Sequence, residues 1–218
     1  LHAVEKAIAL ATGDILYWLN ADDAVMPGTF QLVAETFTRY PATDIVFSDD
    51  YAFDAAKGEL YVGATIRFLT FWDHFLFYRQ RYSECIFWRR AISPQGLPLD
   101  HALRVFTDYS FFLPLAYGRN TRWLRQRLGA FRAHPQQMSQ QHRAKGAGEC
   151  ELIKQRMRAT LGMTPEQFRQ RRRRQRWWFA LRHVWYVRWS SGLRFLWRRI
   201  TRDRARQKLA RFFFNDWL

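Results

Sequence analysis

Along the first part of the chain the hydrophobic positions change period twice. In residues 3–11, AVEKAIALA, Val4, Ala7, Ile8 and Ala11 fall three and four apart, the spacing of one helix face. Thr12-Gly13 stops that helix. An unbroken apolar run follows, so 14–19, DILYWL, reads as a buried strand. Pro27-Gly28 opens a helix over 29–39 whose apolar side is Phe30, Leu32, Val33 and Phe37. Residues 44–48, DIVFS, read as a second short strand. Strand, helix and strand joined by short connections predict a parallel α/β sheet.

Further on the pattern is aromatic and less regular. KGE at 57–59 is a turn, TFWDHFLFY at 70–78 a short helix, and ECIFW at 84–88 a strand. SPQGLPLD at 93–100 is a Pro- and Gly-rich loop. Asp108 to Tyr117 reads as a helix with Gly118 just past its end, and 121–133 as one or two short strands. From about Gly148 the pattern is helical. Trp18, Phe47, Trp72 and Trp88 are core positions, with stacking on a sugar ring as a second reading for Trp72.

The tail follows a different rule. Trp178, Leu181, Trp185, Trp189, Leu193, Leu196 and Ile200 form one helical stripe, and Arg182, Arg188, Arg194, Arg198 and Arg199 interrupt any run long enough to span a membrane. Charge separates the same region. Residues 166–218 hold 16 of the 35 Lys and Arg and three of the 19 acids, so the rest of the chain is nearly balanced. A Trp/Leu stripe flanked by arginines, preceded by RRRR at 171–174, fits an anionic membrane surface through residues 171–200. Packing on protein is the plain alternative. Single-stranded nucleic acid is a third reading, disfavoured because no nucleic-acid-binding signature accompanies the arginines. Two domains are therefore expected, 1–145 and a basic aromatic helical tail at 146–218.

The two cysteines, Cys85 and Cys150, have no CxxC spacing, which argues for a reducing compartment and against a disulfide scaffold or a zinc site. No signal-peptide pattern is visible. The chain opens on Leu1 with residues that read as mid-helix, so the natural protein is expected to begin earlier.

The candidate chemistry is acidic. Asn20-Ala21-Asp22-Asp23 ends the first strand, and Asp49-Asp50 follows the second. Ligands bind beyond the carboxyl ends of strands in such sheets. Adjacent carboxylates repel unless a positive group sits beside them. A turn with a helix cap and a divalent cation are both open readings for Asp22-Asp23. Asp49-Asp50 is read as structural or acceptor-side. Asp108 begins an aromatic helix, and LGAFRAHPQQMS places Arg132 and His134 at the end of a later strand. An acid near the site can serve as general base.

Taken in order, these segments resemble family 2 glycosyltransferases of the GT-A fold. KAIALATGDILYWLNADDAVMPGTFQLVAETFTRYPATDIVFSDDYAFD is similar to the middle of that family's domain. GLPLDHALRVFTDYSFFLPLA resembles its acceptor-side loop and helix, and AFRAHPQQMS its closing Arg-x-His segment. The resemblance covers roughly residues 3–140. It implies an α/β fold, a partial Rossmann-like GT-A domain, with the basic helical extension outside it. It implies an enzyme that moves a sugar, as a hexosyltransferase does, from a nucleotide-diphosphate donor to a hydroxyl of a glycan or lipid-linked acceptor, with inversion. In a bacterium the setting would be cell-surface polysaccharide biosynthesis.

Residue by residue, Asp22 and Asp23 match the DXD-type strand end and would hold Mg2+ or Mn2+ against the diphosphate, with Asn20 where many relatives carry the first Asp. Asp108 matches the catalytic base, His134 a further metal or phosphate ligand, and Arg132 a neighbour on the donor side. Thr107 and Ser110 stand where many relatives have acids, and Pro114 replaces a frequent Arg. The resemblance also implies that the family's first strands and base-reading loop, about 60 residues, would precede Leu1. The location expected is cytoplasmic, peripheral at the inner face of the membrane. The rival from another class is a non-catalytic membrane- or nucleic-acid-binding module that keeps an eroded transferase core.

Overall fold

The structure, a computed structural model, describes residues 2–54, 59–62, 70–77, 83–93 and 99–177. The chain divides into two compact units, Leu1–Thr164 and Pro165–Leu218. In the second, a helix occupies 165–177, with Arg171 to Arg174 and Trp177 exposed. The tryptophan stripe from 178 to 200 lies outside the described residues, as do 55–58, 63–69, 78–82 and 94–98. Among the described residues no helix is long and apolar enough to cross a membrane.

The first unit begins with α1 (His2–Leu10), β1 (Ile15–Tyr17), β2 (Ala24–Val25) and α2 (Thr29–Arg39). Then come β3 (Ile45–Asp54), β4 (Glu59–Val62), α3 (Phe71–Phe77) and β5 (Ile86–Arg89). It closes with α4 (Thr107–Leu115), β6 (Thr121–Ala133), α5 (Met138–Gln141) and α6 (Arg143–Thr160). The sheet order is β1-β5-β3-β6-β2, with β4 paired to β3 off that path.

The sheet is mixed, which corrects the expectation of a parallel one. β1 and β3 run the same way, but β5 lies between them, antiparallel to both. β3 pairs in parallel with β6, and β6 antiparallel with β2. The reason lies in β5. Ile86, Phe87 and Trp88 are all buried, so this run is apolar on both faces and takes a central place in the sheet.

Alternation along the strands makes two cores. Leu16, Ile45, Phe47, Ile86 and Trp88 face one side, where Phe111, Phe112 and Leu115 of α4 cover them and Val4 and Ile8 of α1 pack alongside. Val46, Phe87 and Leu128 face the other side with Val33 and Phe37 of α2. Fully burying one such side chain stabilises by about 2 kcal/mol. These two cores fix the strand order, since α1 itself has no fully buried residue. Of the apolar side predicted for α2, Phe30 is exposed instead, and Thr29 and Thr36 join Val33 and Phe37 inside. Thr29 is tolerated there because its hydroxyl donates to the Leu128 carbonyl at 3.0 Å.

A second correction concerns Asp49-Asp50. They do not follow a strand; they lie within β3, which continues to Asp54, and they are 0% and 4% exposed. The pairing of β3 with β6 shifts register between Ser48 and Asp49 and again between Asp49 and Asp50. Such bulges re-aim side chains. The Trp123 indole donates to Asp49 Oδ1 at 3.2 Å, and the Cys85 thiol to its carbonyl. Partnered in this way, Asp49 sits inside a strand where a polar pattern alone reads as its end.

Candidate functional site

β1 delivers the chain to a tight turn in which the Asp23 N–H donates to the Asn20 carbonyl at 3.2 Å. Asn20 is the hub of this lip. Its Oδ1 accepts from the Trp18 indole at 3.1 Å, and its amide donates to Asp23 Oδ2 at 3.1 Å and to Ser83 Oγ at 3.0 Å. An aspartate here would have lost both donated bonds and set a third charge beside Asp23. Asn20 therefore holds Asp23 in place from within the protein.

The far end of β6 closes the lip from the other side. The Arg132 N–H donates to Asp23 Oδ1 at 3.0 Å. His134 Nε2 lies 3.1 Å from Asp22 Oδ2, and its backbone N–H donates to Gln137 Oε1 at 2.9 Å. β2 secures this approach by pairing Ala24 and Val25 with Ala130 and Gly129. Burial raises the Asp23 carboxyl above its usual range, against the lowering pull of the Arg132 N–H and the Asn20 amide.

Asp22, Asp23 and His134 thus meet at one place, but as two half-sites rather than a closed trio. Asp22 engages the imidazole while Asp23 engages two N–H donors. This donor set suits a hard divalent cation bound beside phosphate, which takes one or two protein carboxylates and fills its other positions with phosphate and water oxygens. Asp22 with His134 would supply the more accessible ligands. Each oxygen of Asp23 accepts one of these N–H donors and keeps further lone pairs. Arg132 is exposed at the same end of β6.

Asp108 stands in the first turn of α4, half-buried, with Oδ1 accepting the Tyr109 N–H at 2.7 Å. Tyr109 is fully buried and donates its hydroxyl to the His74 carbonyl at 2.7 Å, which ties α4 to α3. Pro114 occupies the last turn of α4, where the missing N–H removes a single helical bond. Ser110 turns its hydroxyl back to the Thr107 carbonyl at 2.7 Å.

Two carboxylates passed over in the sequence shape this region. Glu149, on α6, accepts three consecutive backbone N–H groups, from Arg104 and Val105 at 2.8 Å and from Phe106 at 3.1 Å. Partial burial works to raise its carboxyl, and the three donors bring it below the usual range. They are the residues that lead directly into α4, so Glu149 sets the entry of the helix that carries Asp108. Nothing in its helical surroundings marked it.

Glu84 is the second. It is 0% exposed, and among the described residues neither of its carboxylate oxygens has a hydrogen-bond partner. Burial pushes it up to about 9, and the charges of Asp23, Asp50 and Asp108 add to the push. Its own backbone N–H opposes the shift without being aligned for a hydrogen bond. Asp23 from the lip and Asp108 from α4 therefore both lie within electrostatic reach of this one carboxyl. β6 passes directly over it: a Cβ on Gly129 would lie 2.4 Å from the Glu84 carbonyl oxygen and 2.7 Å from its Cγ. The available signal was a charged residue leading an otherwise apolar strand. A separate apolar pocket, lined by Phe47, Thr70, His74, Ile86 and Tyr109 among others, contains none of the candidate site residues.

Residues 2–87 match the family model described as Glycosyl transferase family 2. The resemblance read from the sequence stands over that segment. Among solved structures, one of S. aureus TarS aligns with 62% of this chain at 14% identity and a TM-score of 0.47, and the chain spans 24% of it. A structure of S. aureus TarS 1-349 aligns with 59% at 14% identity and a TM-score of 0.46, and the chain spans 38% of it. No curated protein matches the chain in sequence.

Proposed function

We propose that this chain, whose residues 2–87 match glycosyl transferase family 2, forms part of an inverting, metal-dependent transferase. It would move a sugar from a nucleotide-diphosphate donor to a hydroxyl of a glycan or lipid-linked acceptor. The observation that carries this reading is the lip: Asp22 beside His134, and Asp23 locked by Asn20 and the Arg132 N–H. The charges of Asp23 in the lip and of Asp108 both raise the Glu84 carboxyl.

Asp22, Asp23 and His134 would hold Mg2+ or Mn2+, which when bound neutralises charge on the leaving diphosphate. Arg132, exposed beside them, would add a positive side chain on the donor side. Asp108 would take the proton from the acceptor hydroxyl. The hydroxyl oxygen then forms the new bond to the anomeric carbon, and the bond from that carbon to the diphosphate breaks with its electron pair leaving on the nucleotide. The Tyr109 N–H fixes Asp108 Oδ1 and with it the plane of the carboxyl. Two domains, 1–145 and 146–218, belong to this reading. So does a cytoplasmic, peripheral position at the inner membrane face, supported by the exposed arginines at 171–174.

The test is sugar transfer or donor hydrolysis with a panel of nucleotide-diphosphate sugars and Mn2+. Asp108→Asn is expected to lower the rate by a factor of about 100 to 10,000 while donor binding stays unchanged. Equal rates in wild type and variant would remove Asp108 from the base role.

A further inference from the structure

His2, Glu5 and His101 present three donor atoms that all lie within 4.8 Å of one another. Among the described residues they are the one group of three metal-ligating side chains this close. His2 and Glu5 stand at i and i+3 on α1, one turn apart on the same face. His101 comes from the stretch that leads into α4. Its Nε2 lies 3.0 and 3.1 Å from the two oxygens of Glu5, and His2 Nδ1 lies 3.4 Å from Oε2. The carboxylate is oriented from behind, because the Leu99 N–H donates to Glu5 Oε1 at 2.7 Å and Leu99 itself is 3% exposed. A ligand held by a neighbouring group in this way keeps its geometry without the ion.

A plain ion pair accounts poorly for this arrangement. The two imidazoles are stacked, with centroids 4.0 Å apart and planes 26° apart, and both address one carboxylate. If both carried a proton, two like charges would be stacked with one counter-charge between them. A divalent ion between the three side chains needs both rings neutral and removes that conflict. We propose that His2, Glu5 and His101 form a transition-metal site of the Zn2+ class. Two imidazole nitrogens and one carboxylate oxygen are a donor set for Zn2+, Co2+ or Ni2+ rather than for Mg2+ or Ca2+, which prefer oxygen. Three protein ligands leave a fourth position to water. The absence of a CxxC spacing says nothing against it, because its ligands are not cysteines. The ion clips α1 to the segment entering α4, and it is independent of the lip and of any transfer reaction.

The test is equilibrium dialysis of the untagged 218-residue chain against Zn2+, with Mg2+ in excess to occupy oxygen-rich sites. Wild type is expected to bind one Zn2+ that His2→Gln, Glu5→Gln and His101→Ala each weaken by at least about tenfold. The double variant Asp22→Asn/Asp23→Asn is expected to keep it. Co2+ in place of Zn2+ is expected to give visible d–d bands that the same three variants lose. His2 is 90% exposed, so its replacement removes a ligand and its stacking on His101 but no buried packing. Equal Zn2+ binding by wild type and His2→Gln, or a site lost only in the Asp22/Asp23 variant, would overturn the assignment.

Discussion

Asp23 on the lip and Glu84 behind it are within electrostatic reach of each other, yet the chain provides for them in opposite ways. Asp23 receives an N–H on each oxygen, from Asn20 and from Arg132, and its neighbour Asp22 has an imidazole at 3.1 Å. Among the described residues the Glu84 side chain receives none, and it is 0% exposed. Both carboxyls are pushed up by burial; Asp23 is pulled back by the Arg132 N–H and the Asn20 amide, Glu84 by its own backbone N–H alone. The difference separates two ways of keeping acids close together. The lip surrounds its carboxylates with N–H donors and an imidazole. Glu84 is built to hold a proton, because an unpaired buried carboxylate costs far more than an unpaired buried acid. With Glu84 neutral, Asp23, Asp50 and Asp108 surround one acid instead of a fourth charge.

The largest expected effect attacks that contrast directly. Glu84 has its folded carboxyl raised to about 9 from an ordinary 4.5. A raised acid contributes stability that is fully present below its unfolded value and lost as pH rises through the folded one. Wild-type stability should therefore erode between about pH 4.5 and about pH 9, by several kcal/mol across the whole window. Glu84→Gln keeps the shape of the protonated acid and has nothing to lose. Its urea midpoint is expected to gain on wild type steadily from pH 5 to pH 9. Two curves that stay parallel would mean that Glu84 does not hold a proton.

Next in size is Gly129→Ala. The added Cβ would meet the Glu84 backbone at 2.4 and 2.9 Å, and backbone cannot swing aside as a side-chain tip can. Forced repacking of β6 over Glu84 is expected to destabilise by about 3 kcal/mol, read as a lowered denaturation midpoint at every pH. A loss confined to high pH would instead place the effect in Glu84's proton.

Much of this architecture is legible in the sequence where one force acts alone. The helix expected over 29–39 is found as Thr29–Arg39, because a capping Gly28 at φ 77° and a clear apolar face agree. α1, β1 and α4 lie within a residue or two of where the pattern puts them. Reading fails where tertiary pairing overrides local pattern. Asp49-Asp50 looked like a strand end and sits inside β3, since Trp123 and the bulges against β6 cannot be seen locally. β2 is two residues long and exists only because β6 passes beside it. At the site, Asp22, Asp23 and Asp108 stood out as motifs, while Glu84 and Glu149 did not. Their roles depend on what lies opposite them in space, which a linear pattern does not encode. Asn20 is intermediate: its position was noticed, but its three-way bonding to Trp18, Asp23 and Ser83 needed the fold.

Glu149 extends the comparison to the other carboxylate that receives N–H donors in number. Three donors converge on it, as against two on Asp23. Glu149→Ala leaves the N–H groups of Arg104, Val105 and Phe106 without this acceptor, and is expected to destabilise by about 2 kcal/mol. Glu149→Gln, which can still accept from some of them, should recover part of that. If Glu149 positions Asp108 and Asp108 is the base proposed above, the variants should also alter the pH profile of transfer. A loss of stability with an unaltered profile would make Glu149 a support for the fold alone.

The smallest effect in the absence of metal is expected on the lip itself. The side chains of Asp22 and His134 are 41% and 22% exposed, and an ion pair so open to water contributes less than about 1 kcal/mol. Asp22→Asn should therefore melt with wild type in EDTA. With Mn2+ added the two should separate, because a ligand that binds only the folded state stabilises it in proportion to RT ln(1 + [L]/Kd). Wild type should gain in Tm, and Asp22→Asn should gain less. His134→Gln, which removes the imidazole but keeps the backbone bond to Gln137, should fall between them. If all three gain equally, the cation binds elsewhere on the chain. The Asp22–His134 pair would then be an ordinary surface contact, and the contrast with Glu84 would concern burial alone.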